Sequence, residues 1–90
     1  MKILVTRASY RKDLKKILKR GWDIEKLERT QEMLQLERPL PPQARPHKLT
    51  GEWLGFWECH VAPNWLLIYD TNETTVLLAR TGTHDDLFRT

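Results

Sequence analysis

Residues 53–80 decide the fold, and they read WLGFWECHVAPNWLLIYDTNETTVLLAR. Three apolar segments, Trp53–Val61, Trp65–Tyr69 and Thr75–Arg80, are separated by two short stretches of turn-forming residues. Short apolar segments with such turns between them are typical of consecutive strands, and a short turn joins antiparallel neighbours. The stretch therefore predicts a three-stranded antiparallel meander.

The first twenty residues predict one strand and one helix. Lys2–Thr6 contains an apolar run too short for a helix, so we expect a first strand there. From Arg7 or Ala8 onward the apolar residues recur with the helical period, and Gly21 is suited to cap the end of this helix. The residues expected on the buried face are Tyr10, Leu14, Ile17 and Leu18.

A second helix and a proline-rich connector lead to the meander. Asp23 is suited to the N-cap of a helix running to about Glu37, with Ile24, Leu27 and Leu34 facing inward. Between Arg38 and Gly51 neither helix nor sheet can continue, because four of the five prolines lie there: Pro39, Pro41, Pro42 and Pro46. The two helices are therefore predicted to form an antiparallel hairpin.

These elements combine into one α+β domain spanning residues 1–90. The predicted order is βααβββ, with the helical hairpin packed on a four-stranded, mainly antiparallel sheet. A brief turn or helix is expected around Asp85–Phe88. A chain of 90 residues has enough buried surface for one core only.

Composition limits the class of protein. With 40% hydrophobic and 30% charged residues, the chain should be ordered and globular. Its longest apolar runs fall far short of the roughly 20 residues that cross a bilayer, and its N-terminus lacks the apolar region of a signal peptide. We therefore expect a cytoplasmic protein with no membrane contact. Cys59 is the single cysteine, so it forms no internal disulfide and is predicted to be buried.

Charge is distributed unevenly along the chain. Residues 1–20 contain eight Lys or Arg and one acid, Asp13, a local balance of +7, whereas the remaining residues carry a balance of −4. A basic end of this kind is typical of a surface that binds polyanions such as RNA. A helix made soluble by lysines explains the charge equally well.

Three histidines and an arginine stand at the edges of the predicted meander: His47, His60, His84 and Arg80. Cleavage of RNA without a metal needs a base for the 2′-OH, an acid for the 5′-oxygen and a cation for the charge on phosphorus. Histidine is suited to both proton transfers and arginine to the charge. These residue types therefore indicate a site for metal-independent phosphodiester cleavage.

Other interpretations of the same residues stay open at this point. Each histidine alone could be a surface or structural residue, and three histidines can bind zinc, although no short histidine spacing supports such a site. Arg80 could simply pair with Asp70 or Asp86. The tryptophans at 53, 57 and 65 are more often core residues than platforms on which a base stacks.

Three motifs in the second half resemble the YafQ-type branch of the RelE/ParE toxin superfamily. They are H-x-L-x-G-x-W from His47, C-H-V-x-P-x-W-x-L-I-Y from Cys59, and R-x-G-x-H-x-x-L-F from Arg80. The similarity is strong from His47 to Phe88 and looser in the helices. The combination of the three motifs is specific, whereas each motif alone is weak.

The resemblance implies a ribosome-dependent mRNA endonuclease, the toxin of a type II toxin-antitoxin pair, which a small antitoxin silences. Such enzymes cut mRNA in the ribosomal A site and need no cofactor. By position, the three histidines match the family's catalytic residues and Arg80 matches its phosphate-stabilising arginine. Matches beside the site are Trp65 and Phe88. We expect RNA contacts also from Asn64 and from four lysines of the first helix: Lys12, Lys15, Lys16 and Lys19. His60 and His84 are the preferred proton-transfer pair.

Two residues depart from the family pattern. Asn64 stands where this branch frequently has aspartate, and an amide cannot act as a base. Trp57 stands where arginine is common, but strand alternation points Trp57 away from the face of Glu58 and His60. These departures motivate an alternative, a toxin of the same fold that binds an antitoxin without cleaving RNA, such as a gyrase-directed or catalytically impaired member.

Overall fold

The structure is a computed structural model that describes residues 1–88. Its helices and strands follow one another along the chain as β1 (Ile3–Thr6), α1 (Ala8–Arg20), α2 (Ile24–Gln35), β2 (His47–Lys48), β3 (Trp57–Ala62), β4 (Trp65–Thr71), β5 (Thr75–Gly82) and α3 (His84–Phe88). Short 3-10 turns occupy Pro42–Ala44 and Gly51–Trp53. The α+β class and the helical hairpin are confirmed.

The two helix boundaries at the hairpin lie where the sequence predicts them. Gly21 ends α1 in the left-handed conformation at φ 73°, where its N–H donates to the Leu18 carbonyl. Asp23 begins α2, because its carboxylate accepts the Glu25 N–H at 3.1 Å. The second helix ends two residues earlier than expected, and Glu37 follows with φ 56°.

The sheet has five strands in the order β1-β5-β4-β3-β2, so the prediction of four strands was wrong. The additional strand, β2, pairs antiparallel with β3 through His47↔Glu58 and Lys48↔Trp57. Two residues are too few to show a period in the sequence. Trp53 lies in a 3-10 turn rather than in a strand, and β3 begins only at Trp57. β1 pairs parallel with β5, and the other pairs are antiparallel.

The two faces of the sheet are covered differently. Helices α1 and α2 pack on one face, which we call the helix face, where the main core contains Tyr10, Ile17, Leu27, Cys59, Trp65, Leu67, Tyr69, Val76 and Leu78. The opposite face, which we call the open face, has a smaller cluster of Leu66, Ile68, Ala79 and Leu87, with Phe56 and Phe88 partly buried against it. Leaving polar groups uncovered on one face is common in sheets of mainly antiparallel strands.

Burial has a chemical consequence for Cys59, which is 0% exposed as expected. Burial, and secondarily the neighbouring Glu58 carboxylate, raises the pKa of the Cys59 thiol to about 12. The thiol therefore stays protonated and behaves as a small apolar side chain. Within residues 1–88, no helix is long and apolar enough to cross a membrane.

Helix α1 continues the edge of the sheet where β1 stops. β1 ends at Thr6, opposite Leu78, while β5 runs on to Gly82. Beyond that point α1 supplies the missing partners, since Ser9 Oγ donates to the Ala79 carbonyl at 2.8 Å and the Asp13 carboxylate accepts the Thr81 N–H at 3.1 Å. Polar side chains of α1 therefore replace a strand along the last residues of β5.

Candidate active site

Strand register brings several of the predicted site residues onto the open face. His47 lies opposite Glu58, Glu58 opposite Ile68, and Ile68 opposite Arg80, which makes one row across four strands. Residues directly opposite each other project from the same face. His60, two residues after Glu58 on β3, lies on that face as well. The open face therefore carries the charged and titratable groups of the sheet.

The row does not bring His47 close to Arg80. Three strand spacings separate them, or about 14 Å between their backbones. His47 contacts Glu58 instead, with Nε2 3.4 Å from Oε1, while Nδ1 lies 2.9 Å from the Arg45 carbonyl oxygen. Both ring nitrogens therefore face oxygen atoms.

Glu58 is a site residue that the sequence analysis missed. Its side chain is 8% exposed, and its only ion-pair partner among the described residues is His47. A buried carboxylate is costly unless a cation or hydrogen-bond donor faces it, so the pair stabilises both members. The signal was present in the sequence, because an acid two residues before His60 within an apolar strand projects from the same face.

His60 stands at the end of β3 beside an irregularity in the sheet. The register shifts between His60 and Ala62, which leaves Val61 as an extra residue. Such bulges re-aim the neighbouring side chains. His60 is half-buried and lines a cleft of about 410 Å³ between α2, the loop at 40–44 and the turn after β3. The cleft therefore reaches His60 from the side of α2.

His84 reaches the same end of the sheet from α3. Leu66 pairs with His60 on one side and with Gly82 on the other, so His60 and Gly82 are two strands apart, about 10 Å. His84 is exposed and begins α3 two residues later. Its ring lies 4.9 Å from that of Phe88 on the next helical turn. The structure thus places His84 and Phe88 side by side, on the side of the sheet that holds His60.

Arg80 forms an ion pair, although with neither Asp70 nor the Asp86 carboxylate, so the structural alternative was wrong only in the partner that it named. Its Nε donates to Asp13 Oδ2 at 2.6 Å and its Nη2 to Asp13 Oδ1 at 3.1 Å. A weaker contact of 3.5 Å joins Nη2 to the Asp86 backbone oxygen. The hydrogen bonds that Arg80 donates to Asp13 raise the pKa of Arg80 further above its ordinary value, and the guanidinium is charged.

A second ion pair connects α1 with α3. Arg20 donates two hydrogen bonds of 2.7 and 3.1 Å to the Asp86 carboxylate, and the Thr83 N–H donates to the same carboxylate at 2.9 Å. The Arg20 hydrogen bonds hold the pKa of Asp86 well below its usual range, against the opposing effect of burial. This pair fixes the start of α3, and with it His84, against α1.

Trp57 and Trp65 lie on the helix face, whereas Trp53 packs against the open-face cluster. Trp65 is 4% exposed, with its ring centroid 5.0 Å from that of Trp22 and its indole N–H donating to Thr81 Oγ1 at 2.8 Å. Trp65 therefore supports the site from beneath the sheet, and its ring is not accessible to a base. Trp57 also packs in the helix-face core, as strand alternation predicts. Asn64 is exposed in the turn between β3 and β4.

The lysines of α1 form an exposed strip next to the site. Each of the four predicted RNA-binding lysines, Lys12, Lys15, Lys16 and Lys19, is exposed, and none has an ion-pair partner among residues 1–88. Successive residues turn about 100° around a helix, so Lys16 lies about 60° from Asp13 on the side opposite the buried Ile17. The basic strip therefore borders the edge that holds Arg80.

Comparison with known proteins decides the family. The family described as "Bacterial toxin of type II toxin-antitoxin system, YafQ" matches residues 2–89. The chain belongs to the YafQ family. The "mRNA interferase toxin YafQ" of Escherichia coli K12 is 40% identical over 80 residues, which cover 88% of this chain and 87% of that protein. The resemblance inferred from the three motifs is confirmed.

Solved structures of YafQ and a related toxin share the fold. In the E. coli DinJ-YafQ toxin-antitoxin complex, the matching chain has a TM-score of 0.88 and 36% identity, covering 97% of both chains. A metal-bound toxin from Helicobacter pylori has a TM-score of 0.91 and 38% identity, covering 98% of this chain and all of that one. This YafQ-family chain is thus a toxin of a type II toxin-antitoxin system.

The three histidines do not fit the zinc site that the sequence left open. They stand on β2, β3 and α3, and residues 1–88 contain no group of three or more His, Cys, Asp or Glu side chains placed to hold a metal ion. We therefore assign no chemical step to a metal.

Proposed function

We propose that this YafQ-family toxin is an mRNA endonuclease that acts on the ribosome and cleaves by acid/base catalysis. The proposal rests on two observations: His60 and Arg80 share the open face, with His84 beginning α3 just beyond β5, and the chain is 40% identical to a protein named an mRNA interferase. Helices α1 and α2 cover the other face, and on the open face the short helix α3 packs beside these groups.

The chemistry follows from the three groups. One histidine of the His60 and His84 pair takes the proton from the 2′-OH, whose oxygen then attacks phosphorus, and the other gives a proton to the departing 5′-oxygen. Arg80 stabilises the additional negative charge on the phosphoryl oxygens. The contact between His47 and Glu58 orders the part of the face beside His60.

The surroundings suit RNA. The lysine strip of α1 lies next to Arg80, so one continuous basic surface can follow a phosphate backbone. The cleft beside His60 falls within the range of about 300–1,000 Å³ that is common for small-ligand sites. Exposed Asn64 in the turn and Phe88 beside His84 flank this end and can orient the nucleotides at the cut.

We also propose that a cognate antitoxin silences the toxin and that the ribosome is required to present the mRNA. The E. coli relative has been seen in a complex with DinJ, a toxin-antitoxin pair. The exposed lysine strip of α1 is suited to an acidic partner, since complementary charge steers association. The ribosome dependence is consistent with the small size of the site, which leaves the positioning of mRNA to other contacts.

Inducible expression with mapping of mRNA 5′ ends by primer extension tests the proposal. Wild-type protein should stop growth and produce new mRNA ends within codons, while His60→Ala and His84→Ala should do neither. Glu73→Gln is the matched control, since this exposed residue lies at the opposite end of the sheet. Equal toxicity and identical cuts from all variants would show that the site is wrong. Growth arrest with intact mRNA and DNA damage would favour a toxin that does not cleave RNA.

A further inference from the structure

We infer that Asp13 is a positioning residue for Arg80, which holds the guanidinium in the orientation that meets a phosphate. The inference rests on the proposed function and deepens it. Asp13 lies on α1, 67 residues from Arg80 in the sequence, and it is the one acid among the basic residues 1–20. Its side chain is 7% exposed, so water competes little for its oxygens.

Both oxygens of Asp13 are occupied by donors from β5. Oδ2 accepts the Arg80 Nε–H at 2.6 Å and the Thr81 backbone N–H at 3.1 Å, while Oδ1 accepts an Arg80 Nη2–H at 3.1 Å. The backbone bond fixes the carboxylate to the strand, and the two guanidinium bonds fix Arg80 to the carboxylate. A planar, two-point contact of this kind sets orientation as well as distance.

The geometry leaves the other side of the guanidinium for a ligand. Asp13 uses Nε and one hydrogen of Nη2, and the Asp86 carbonyl lies 3.5 Å from Nη2. Among residues 1–88, Nη1 has no hydrogen-bond acceptor, so its two hydrogens can bind phosphoryl oxygens. The Arg80 side chain is still 24% exposed. Asp13 therefore occupies the Nε and Nη2 edge of the guanidinium and leaves Nη1 for a ligand.

Single-turnover cleavage of mRNA on programmed ribosomes tests the role. We expect Asp13→Asn to slow cleavage about 100-fold, as a misplacement of roughly 1 Å does, while ribosome affinity changes less than about threefold. Ser9→Ala is the matched control, because Ser9 bonds the same strand edge without touching Arg80. It should slow cleavage less than about twofold per folded molecule, since positioning for the reaction is retained. An Asp13→Asn rate equal to that of Ser9→Ala would overturn the inference.

Chemical rescue separates positioning from general stability. In Arg80→Gly, added guanidinium at concentrations that leave the protein folded should restore part of the cleavage, because Asp13 binds and orients the ion. In Asp13→Asn/Arg80→Gly the restoration should be lost. Equal restoration in the two backgrounds, including none in either, would count against the inference.

A measurement on the wild-type protein covers the case in which the Asp13 variants fail to fold. Nitrogen-15 NMR should show a slowly exchanging Arg80 Nε–H and two separate Nη signals, since the carboxylate hinders rotation of the guanidinium. Fast exchange and a single averaged Nη signal would overturn the inference. Wild-type protein that does not cleave mRNA on the ribosome would instead contradict the proposed function, and the NMR result would stand independently.

Discussion

The two faces of the sheet are made by the same strands, yet they have different tasks. On β3, Trp57 and Cys59 project into the core beneath the helices, while Glu58 and His60 alternate with them on the open face. The helix face buries the larger core, and the open face carries the titratable groups, from buried Glu58 to exposed His47. Strand alternation therefore allows one short segment to serve stability on one side and chemistry on the other.

Ion pairs connect the two faces at one place, the C-terminal end of β5. There α1, which belongs to the helix face, extends Asp13 to Arg80 and Arg20 to Asp86. Two ion pairs from a structural helix thus fix the groups that lie next to the proposed chemistry. The comparison predicts that substitutions on each face change different quantities, except along this edge, where they change both.

Substitutions on the open face should have the largest effect, and the effect should be on rate. His60→Gln and His84→Gln are each expected to slow mRNA cleavage by about 100- to 10,000-fold, the usual contribution of general acid/base catalysis. His47→Gln is the matched comparison and should slow cleavage less, because His47 lies about 14 Å from Arg80. Single-turnover cleavage on ribosomes measures all three. An equal loss in all three would contradict the separation of His47 from the reacting groups.

A substitution on the helix face should affect stability instead. Leu67 is 0% exposed, so Leu67→Ala should lower the free energy of unfolding by about 2–5 kcal/mol. Leu54, 77% exposed, provides the matched Leu54→Ala control, which should change it by less than about 0.5 kcal/mol. Urea unfolding measures both variants. A Leu67→Ala protein that is as stable as the control would contradict the expectation that the helix face determines stability.

High pH should destabilise the helix face. Burial raises the pKa of Cys59 to about 12 and the pKa values of Tyr10 and Tyr69 above their ordinary values, so these groups stay neutral when folded. The unfolded chain loses the same protons at lower pH, starting at about pH 8.5–10. Stability should therefore fall as pH rises through that range, and Cys59→Ala should weaken the fall. Urea unfolding from pH 7 to 11 measures this; a flat profile would contradict it.

The smallest effect is expected from the ion pair at the edge. Folding lowers the pKa of Asp86, so this carboxylate stabilises the folded protein above its unfolded pKa of about 3.9. That stabilisation is lost as the pH falls towards the pKa of Asp86 in the folded protein. At pH 7, Asp86→Asn should cost about 1 kcal/mol, since Arg20 is partly exposed to solvent. The difference from wild type should shrink below about pH 4. Thermal unfolding across pH 2.5–7 checks this, and a difference that grows at low pH would have the wrong sign.

Local signals in the sequence predicted much of the fold. Gly21 and Asp23 act within one helical turn, so these two residue types locate the end of α1 and the start of α2. The meander followed from apolar segments and turns. The two-residue strand β2 escaped prediction because its pairing with Glu58 depends on the folded sheet. Trp65, expected beside the RNA, is held beneath the sheet by Trp22, a contact between distant segments.

The sequence indicated the residues of the candidate site better than it indicated the contacts between them. The three motifs named His60, Arg80 and His84, and the structure puts His60 and Arg80 on the open face and His84 at the start of α3. They gave no sign that Asp13 would be the partner of Arg80, because 67 residues separate the two and the surrounding charges suggested only a basic helix. Partners of a site residue that come from another element are visible only after the chain has folded.

The chemical nature of the cut ends tests most directly the claim that the open face performs acid/base cleavage. Wild-type protein, incubated with programmed ribosomes, should leave a 2′,3′-cyclic phosphate on the upstream mRNA fragment and a 5′-hydroxyl on the downstream one, because the attacking group is the 2′-OH. Both products should disappear together in His60→Gln. Fragments with a 3′-hydroxyl and a 5′-phosphate would contradict the account, since water rather than the 2′-OH would then be the attacking group.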